Sequence, residues 1–216
     1  MPVDIKNLVA AVENAKKNSK KREFTQSVDL VVKLRDIDMK KPESRINELI
    51  ELPHPIGKTV KVCVVASGAL ALDAKRAGAD FVIEKEALEK LGTNKKAARE
   101  LADTYDFFIA EAPLMPTVGK ILGAFLGPRG KMPSPVPPNA PIEPILTKHR
   151  KMIRARIKDQ PVIQSRIGTE DMPNDKIAEN AQTVLTRLEV KLEKGLKNIK
   201  EVYLKTTMGQ NVKFKL

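Results

Sequence analysis

The chain has 216 residues, an apolar fraction of 42% and a formal net charge of +12, from 39 Lys and Arg against 27 Asp and Glu. That length supports one large domain or two ordinary ones, and the charge calls for a polyanionic partner, either nucleic acid or an anionic membrane surface. No stretch approaches the roughly eighteen apolar residues of a spanning helix, and a lone cysteine, Cys63, excludes a disulfide framework.

The N-terminal segment places Ile5, Leu8, Val9 and Val12 on one helix face. Asp4 and Glu13 and the lack of a long apolar core make it a structural helix rather than a signal peptide. A charged stretch, "KKNSKKR", follows. "QSVDLVVKLRD" then alternates as a strand, with Val28, Leu30, Val32 and Leu34 on one face. "SRINELIELP" fits a second strand or a short helix, closed by Pro53 and Pro55.

The texture changes at Thr59. "VKVCVVASG" is an almost continuous apolar run, the pattern of a strand buried on both faces. Cys63 lies inside it and is expected to be buried and inert, in a reducing, cytoplasmic compartment. A helix over "ALALDAKRAGA", a strand "DFVI", a charged helical stretch at 84–104, an apolar strand "YDFFIAEA" and a helix over "MPTVGKILGAFLG" follow in order. Phe81, Phe107, Phe108 and Phe125 fit the core pattern of this part. The alternation predicts a three-layer, Rossmann-like α/β unit over residues 60–155. "PRGKMPSPVPPNAPIEP" holds seven prolines in seventeen residues and reads as an extended, stiffened loop. Beyond it come the strand "PVIQSRIGTE", a long helix with Ile177, Ala181, Val184, Leu188 and Leu192 as its apolar stripe, and a strand from Ile199 to Thr206.

The two outer pieces are thin alone. Joined, residues 1–59 and 156–216 give a four-stranded antiparallel sheet with two helices on one face, into which 60–155 is inserted. Three independent small units are the alternative arrangement. The economical fold is thus α/β: two domains, a discontinuous split sandwich carrying a Rossmann-like insert.

Catalytic and cofactor chemistry finds little support. His54 and His149 lack neighbouring metal ligands, so no metal site is expected. "IGKT" has Leu52 where a phosphate loop needs its first glycine. "RGKM" has Phe125 at that place and Met132 where a hydroxyl belongs. "ASGAL" offers a single glycine of the dinucleotide pattern. The chain is expected to be no enzyme and to need no cofactor. The basic runs are more telling: Lys16, Lys17, Lys20, Lys21 and Arg22, and then Lys148, Arg150, Lys151, Arg154, Arg156 and Lys158 with no acidic residue among them. Packed like charges call for open solvent or for phosphates. The outer strands offer only Tyr203, and Phe24 just ahead of the first. The expected mode is therefore recognition of folded RNA by shape, backbone and 2′-hydroxyl contacts rather than base stacking on a sheet.

"REFTQSVDLVVKLRDID", "ELPHPIGKTVKV", "LGPRGKMPSP", "SRIGTEDMPNDKIAEN" and "KTTMGQNVKFKL", in that order, resemble the ribosomal protein L1 family in its archaeal form. The resemblance covers essentially the whole chain. It implies the two-domain fold above, with rRNA contacts made by the discontinuous domain. The family's strand-start signature falls on Phe24, Gln26 and Ser27, where bacterial members generally carry Glu and Thr at the last two places. Its basic residue and glycine before the long helix fall on Arg166 and Gly168, and its Thr-Met-Gly signature on Thr207, Met208 and Gly209. On the residues alone that last group is either a recognition loop or an ordinary turn; the resemblance favours the loop. It further implies binding to a junction of large-subunit rRNA, a mobile stalk beside the tRNA exit site that assists release of deacylated tRNA, and repression through the protein's own mRNA. The partners expected are thus rRNA, tRNA and mRNA, with no membrane, for a protein monomeric when free. A basic scaffold protein of another ribonucleoprotein is the alternative.

Overall fold

The computed structural model describes residues 5–37, 46–57, 59–158 and 160–214. Two compact units emerge: residues 1–58 with 151–216, and residues 59–150. The architecture is two-domain α/β, with one antiparallel and one parallel four-stranded sheet.

In the first unit, α1 (Ile5–Lys17), β1 (Ser27–Leu34) and β2 (Asn47–Glu51) come from the N-terminal piece. The second piece supplies β7 (Met152–Arg156), β8 (Val162–Thr169), α7 (Asn174–Lys191), β9 (Ile199–Thr206) and β10 (Val212–Phe214). The main sheet runs β10-β9-β1-β8, all antiparallel. Period-two alternation drives Val28, Leu30 and Val32 inward, with Ile163, Val202 and Leu204 from the neighbouring strands. Leu8 and Val12 of α1 and Ile177, Ala181, Val184 and Leu188 of α7 join the same core. The stripe read along α7 is therefore its packed face.

Residues 47–51 form a strand, yet this strand does not enter the main sheet. It pairs with β7 in a separate antiparallel ribbon, Ile50 opposite Ile153. The fourth strand of the main sheet is instead β10, just beyond the turn at Thr207–Gly209. β7 itself lies within the second basic run. Its arginines alternate with buried Ile153 and Ala155, and that alternation makes it a strand.

In the second unit, β3 (Val62–Val65), β4 (Phe81–Ile83), β5 (Phe107–Glu111) and β6 (Ser134–Val136) form a parallel sheet of order β4-β3-β5-β6. β3 and β5 are buried at every position, as their apolar runs demand for central strands. The helices are α2 (Gly68–Arg76), α3 (Lys85–Thr93), α4 (Lys95–Thr104), α5 (Met115–Arg129) and α6 (Ile142–Arg150). The charged stretch at 84–104 is two helices, divided at Asn94, whose side chain caps α4 by accepting from Ala97 N–H.

The proline-rich segment is not all loop. Pro135 sits in β6, an edge strand, where its missing N–H costs no ladder bond. Pro144 sits in the first turn of α6, where an amide hydrogen would have no intrahelical acceptor. Phe107 and Phe108 are buried as expected. Phe81 is not: it is 44% exposed and stacks on Tyr105 with ring centroids 5.7 Å apart.

Candidate nucleic-acid interface

Antiparallel pairing brings the start of β1 and the ends of β8 and β9 to one edge of the sheet. Ser27 lies opposite Thr169, and Val28 lies between Gly168 and Thr206. The residues picked out at three distant places in the sequence thus share one corner of the first unit.

The turn after β9 is locked to the start of β1. Ser27 N–H donates to Thr207 Oγ1 at 3.0 Å, and Thr207 N–H donates to Ser27 O at 3.0 Å. Thr207 and Met208 are exposed, Met208 at 63%. Phe24 is exposed at 51%. Two large apolar side chains open to solvent at one polar corner lose water contact at little cost when a ligand covers them. Lys20, Lys21 and Arg22, just ahead of Phe24, are exposed as well.

Arg166 lies one step inside the corner, directly across from Asp29 on β1. Its Nε is buried without a hydrogen-bond partner among the described residues. Burial pushes the Asp29 carboxyl above the ordinary carboxylate range, and Arg166 and then Lys205 pull it back. The row Arg166–Asp29–Lys205 crosses three strands with a net positive charge.

Two of the signature residues are buried behind the surface. Gln26 is fully buried and hydrogen-bonded on every side. Gly168 packs beneath α7: a Cβ there would meet Ile177 Cγ1 at 3.0 Å and the Met172 sulfur at 3.1 Å. Gly209 lies at the surface, but its missing side chain serves an internal contact. A Cβ at Gly209 would overlap Thr206 Oγ1 and touch Ser19. Its φ is not positive, so close approach within the protein, rather than an unusual backbone angle, demands glycine here.

Sequence reading passes over Ser19, Glu170 and Thr206, which complete this corner. Glu170 accepts Gln26 N–H at 3.0 Å and returns its own N–H to Gln26 O at 2.9 Å. Thr206 is buried beside Gly209, and its hydroxyl has no partner among the described residues. Ser19 and Glu170 lie in connecting segments, where no periodicity marks them.

The second basic run divides between the units. Arg150 is tied within the second unit, donating to Gly78 O at 2.6 Å and lying 3.8 Å from Asp80. Arg154 is half-buried on β7, where burial lowers its pKa. The parallel sheet has its topological switch between β3 and β5, where doubly wound folds bind phosphates. Here Glu111 fills that place, accepting Ser67 N–H at 2.9 Å and the Ser67 hydroxyl at 2.7 Å. A carboxylate facing the start of α2 opposes an anionic ligand, and Gly68 simply makes the turn at φ +54.

The family model described as "Ribosomal protein L1p/L10e family" matches residues 13–210. The chain belongs to the ribosomal protein L1 family. The L1 match spans every residue of the corner, from Ser19 to Gly209. Among L1 relatives, the large ribosomal subunit protein uL1 of Methanothermobacter thermautotrophicus is 51% identical over 206 residues, covering 95% of this chain and 97% of that protein. That of Pyrococcus abyssi is 50% identical over 216 residues, covering 100% of this chain and 98% of its own. That of Thermofilum pendens is 51% identical over 209 residues, covering 96% and 92%.

Proposed function

We propose that this chain is a structural protein of the large ribosomal subunit that binds rRNA through the corner built by Phe24, Ser27, Arg166, Thr207, Met208 and Gly209, with Gln26 and Gly168 shaping it from behind. The observation that carries the reading is the reciprocal Ser27–Thr207 pair. It joins segments 180 residues apart and sets exposed Phe24 and Met208 beside a basic stretch. Hydroxyls and main-chain groups suit phosphate and ribose, the two apolar side chains suit sugar and base faces, and the lysines suit the backbone charge. Relatives named large ribosomal subunit protein uL1, at about half identity over nearly the whole chain, support the same reading.

In this reading the discontinuous unit holds the rRNA junction, and the protein belongs to a mobile stalk beside the tRNA exit site. There it assists release of deacylated tRNA. The same corner binds a similar structure in the protein's own mRNA and represses its translation.

Ultraviolet crosslinking of the tagged protein in cells, followed by sequencing of the retained RNA, tests this. Reads should concentrate on one junction of large-subunit rRNA, with a lesser peak on the mRNA encoding this chain. Reads spread evenly over cellular RNA would overturn the rRNA assignment. A single rRNA peak without the mRNA peak would remove the repressor role alone.

A further inference from the structure

The Gln26 carboxamide lies where three segments meet. Its Nε2 has two hydrogens; these lie within reach of Lys20 O at 3.1 Å and Ser19 Oγ at 2.9 Å in the α1–β1 connection and of Glu170 Oε2 at 3.2 Å in the β8–α7 connection, while the Ser19 hydroxyl can itself donate to Oε1 at 3.2 Å. Its Oε1 accepts Met208 N–H at 3.2 Å from the turn after β9. The partners fix the orientation of the amide: only the NH2 suits the Lys20 carbonyl and the Glu170 carboxylate, and only the oxygen suits the Met208 N–H. Hydrogen bonds in both directions between Gln26 and Glu170 hold the two residues in register.

We propose that buried Gln26 and half-buried Glu170 are a positioning pair, which sets the Met208–Gly209 turn for RNA binding without touching the RNA; this rests on the rRNA-binding reading above. The site needs a neutral side chain that donates on one side and accepts on the other. Asn is one methylene too short to reach all three segments. Glu has the length, but it would set an oxygen against Lys20 O and a second carboxylate against Glu170. Two carboxylates held in contact, one of them fully out of water, resist ionising together. They would share a proton, and the turn would then follow pH.

The surrounding charges sharpen this expectation. From α1, the Lys16 ammonium donates to Met172 O and lies near Asp171 and Glu170. It offsets one carboxylate in this cluster, and a second one at position 26 would exceed it. Asp171 adds negative charge from the β8–α7 connection. Lys20 contributes its carbonyl here while its side chain is exposed. Asp29 on β1 is engaged by Arg166 and Lys205. The turn after β9 presents an N–H and the hydroxyls of Thr206 and Thr207, with no charge.

The test uses Gln26→Glu, Glu170→Gln and the swapped double variant in the full chain. Two readouts are taken: hydrogen exchange of the Met208 amide without RNA, and affinity from pH 5 to 8 for a transcript of the rRNA segment recovered by crosslinking. Gln26→Glu should expose the Met208 amide and weaken binding about tenfold at pH 8, the scale of one lost buried charge-assisted hydrogen bond. Most of that loss should return toward pH 5, as the pair takes up its proton. Glu170→Gln should weaken binding without this pH dependence, because the carboxylate accepts from both the Gln26 N–H and its Nε2, and an amide has one oxygen to offer them. The swapped variant should recover most of the binding and the Met208 protection at pH 8, since the amide now at position 170 donates to the carboxylate at position 26.

A Gln26→Glu protein with wild-type Met208 protection and affinity at pH 8 overturns the proposal. So does a swapped variant no better than Gln26→Glu. If Gln26→Glu fails to fold at pH 8, a folded swapped variant with near wild-type protection is itself the rescue. If wild-type protein does not bind the transcript, the rRNA reading falls, and Met208 exchange across the variants decides the pairing by itself.

Discussion

Thr207 meets Ser27 through both its main chain and its side chain: its N–H donates to Ser27 O at 3.0 Å while its Oγ1 accepts Ser27 N–H at 3.0 Å. The hydroxyl thus continues the β1–β9 ladder by one rung past Thr206. Thr207→Val keeps the shape and removes the acceptor. It should lower stability by about 1 kcal/mol, the usual net value of one hydrogen bond, and weaken rRNA binding. Urea melts alongside titration of the rRNA transcript measure both. Unchanged stability would mean that solvent serves Ser27 N–H equally well.

Met208→Ala should weaken RNA binding without affecting the fold, because the side chain is 63% exposed. It removes apolar contact and no charge, so the salt dependence should stay that of the wild type. That dependence should be linear in log–log form, with a slope of roughly −0.7 to −0.9 per phosphate neutralised and fewer than about eight phosphates in total. Filter binding over a monovalent salt series gives the slope. Salt-insensitive binding would remove the phosphate component. Lys95→Ala, on the exposed face at the start of α4, is the control and should bind normally.

Gly209→Ala should destabilise the first unit by about 1–3 kcal/mol, as overpacking does. The new methyl overlaps Thr206 Oγ1, and Thr206 is buried and has little room to yield. Adding Thr206→Ala should restore part of the loss by removing the clashing oxygen. Melting curves of the single and double variants test this. A Gly209→Ala protein as stable as the wild type would show that the turn opens freely.

His149 supplies a pH effect on the second unit. Its ring is buried against Phe107, Nδ1–H donates to Ile145 O at 2.8 Å, and Nε2 accepts from the Ser134 hydroxyl at 3.3 Å. Burial holds its pKa below the ordinary value; the Ile145 bond acts upward and nearby Lys148 downward. The unfolded chain therefore binds the proton more readily. The stabilisation is full above the unfolded pKa of about 6.5 and falls as pH drops below it. His149→Gln should flatten the pH dependence of stability in that window, measured by denaturant melts from pH 7.5 to 5. An unchanged slope would assign the effect to other groups.

Joining residues 1–58 directly to 151–216 through a short linker should give a cooperatively melting unit. A version that starts its second piece at 157 lacks β7, leaves β2 unpaired and bares Ile50. It should be less stable by several kcal/mol, at about 1.5–3 kcal/mol for each large aliphatic side chain returned to water. Calorimetry on the pair measures the difference. Equal melting would place β7 outside the unit's cooperative core.

How much of this is legible in the sequence depends on whether a segment carries a period. β3 and β5 declare themselves as unbroken apolar runs, and α7 through its stripe from Ile177 to Leu188. β7 does not, because "MIRAR" shows its arginines before its two inward side chains, and charge masks a short alternation. β6 and α6 hide behind prolines whose positions, an edge strand and a first turn, make them harmless. At the corner, Ser27 and Thr207 are reached through family resemblance to motifs. Glu170 and Ser19 are not, because their roles come from the three-dimensional meeting of connections that have no pattern of their own.

The central strand β1 also sets an order in time. Both of its ladder partners, β8 and β9, follow the whole inserted unit in the chain. During synthesis, residues 59–150 contain all the strands of their own parallel sheet and can fold as they emerge. Ser27–Leu34 must wait, apolar and unpaired on both edges, until the second piece follows. The corner assembles only after that pairing, so a nascent chain cannot engage RNA through it prematurely, and a chaperone with affinity for extended apolar segments would find β1 exposed throughout that interval.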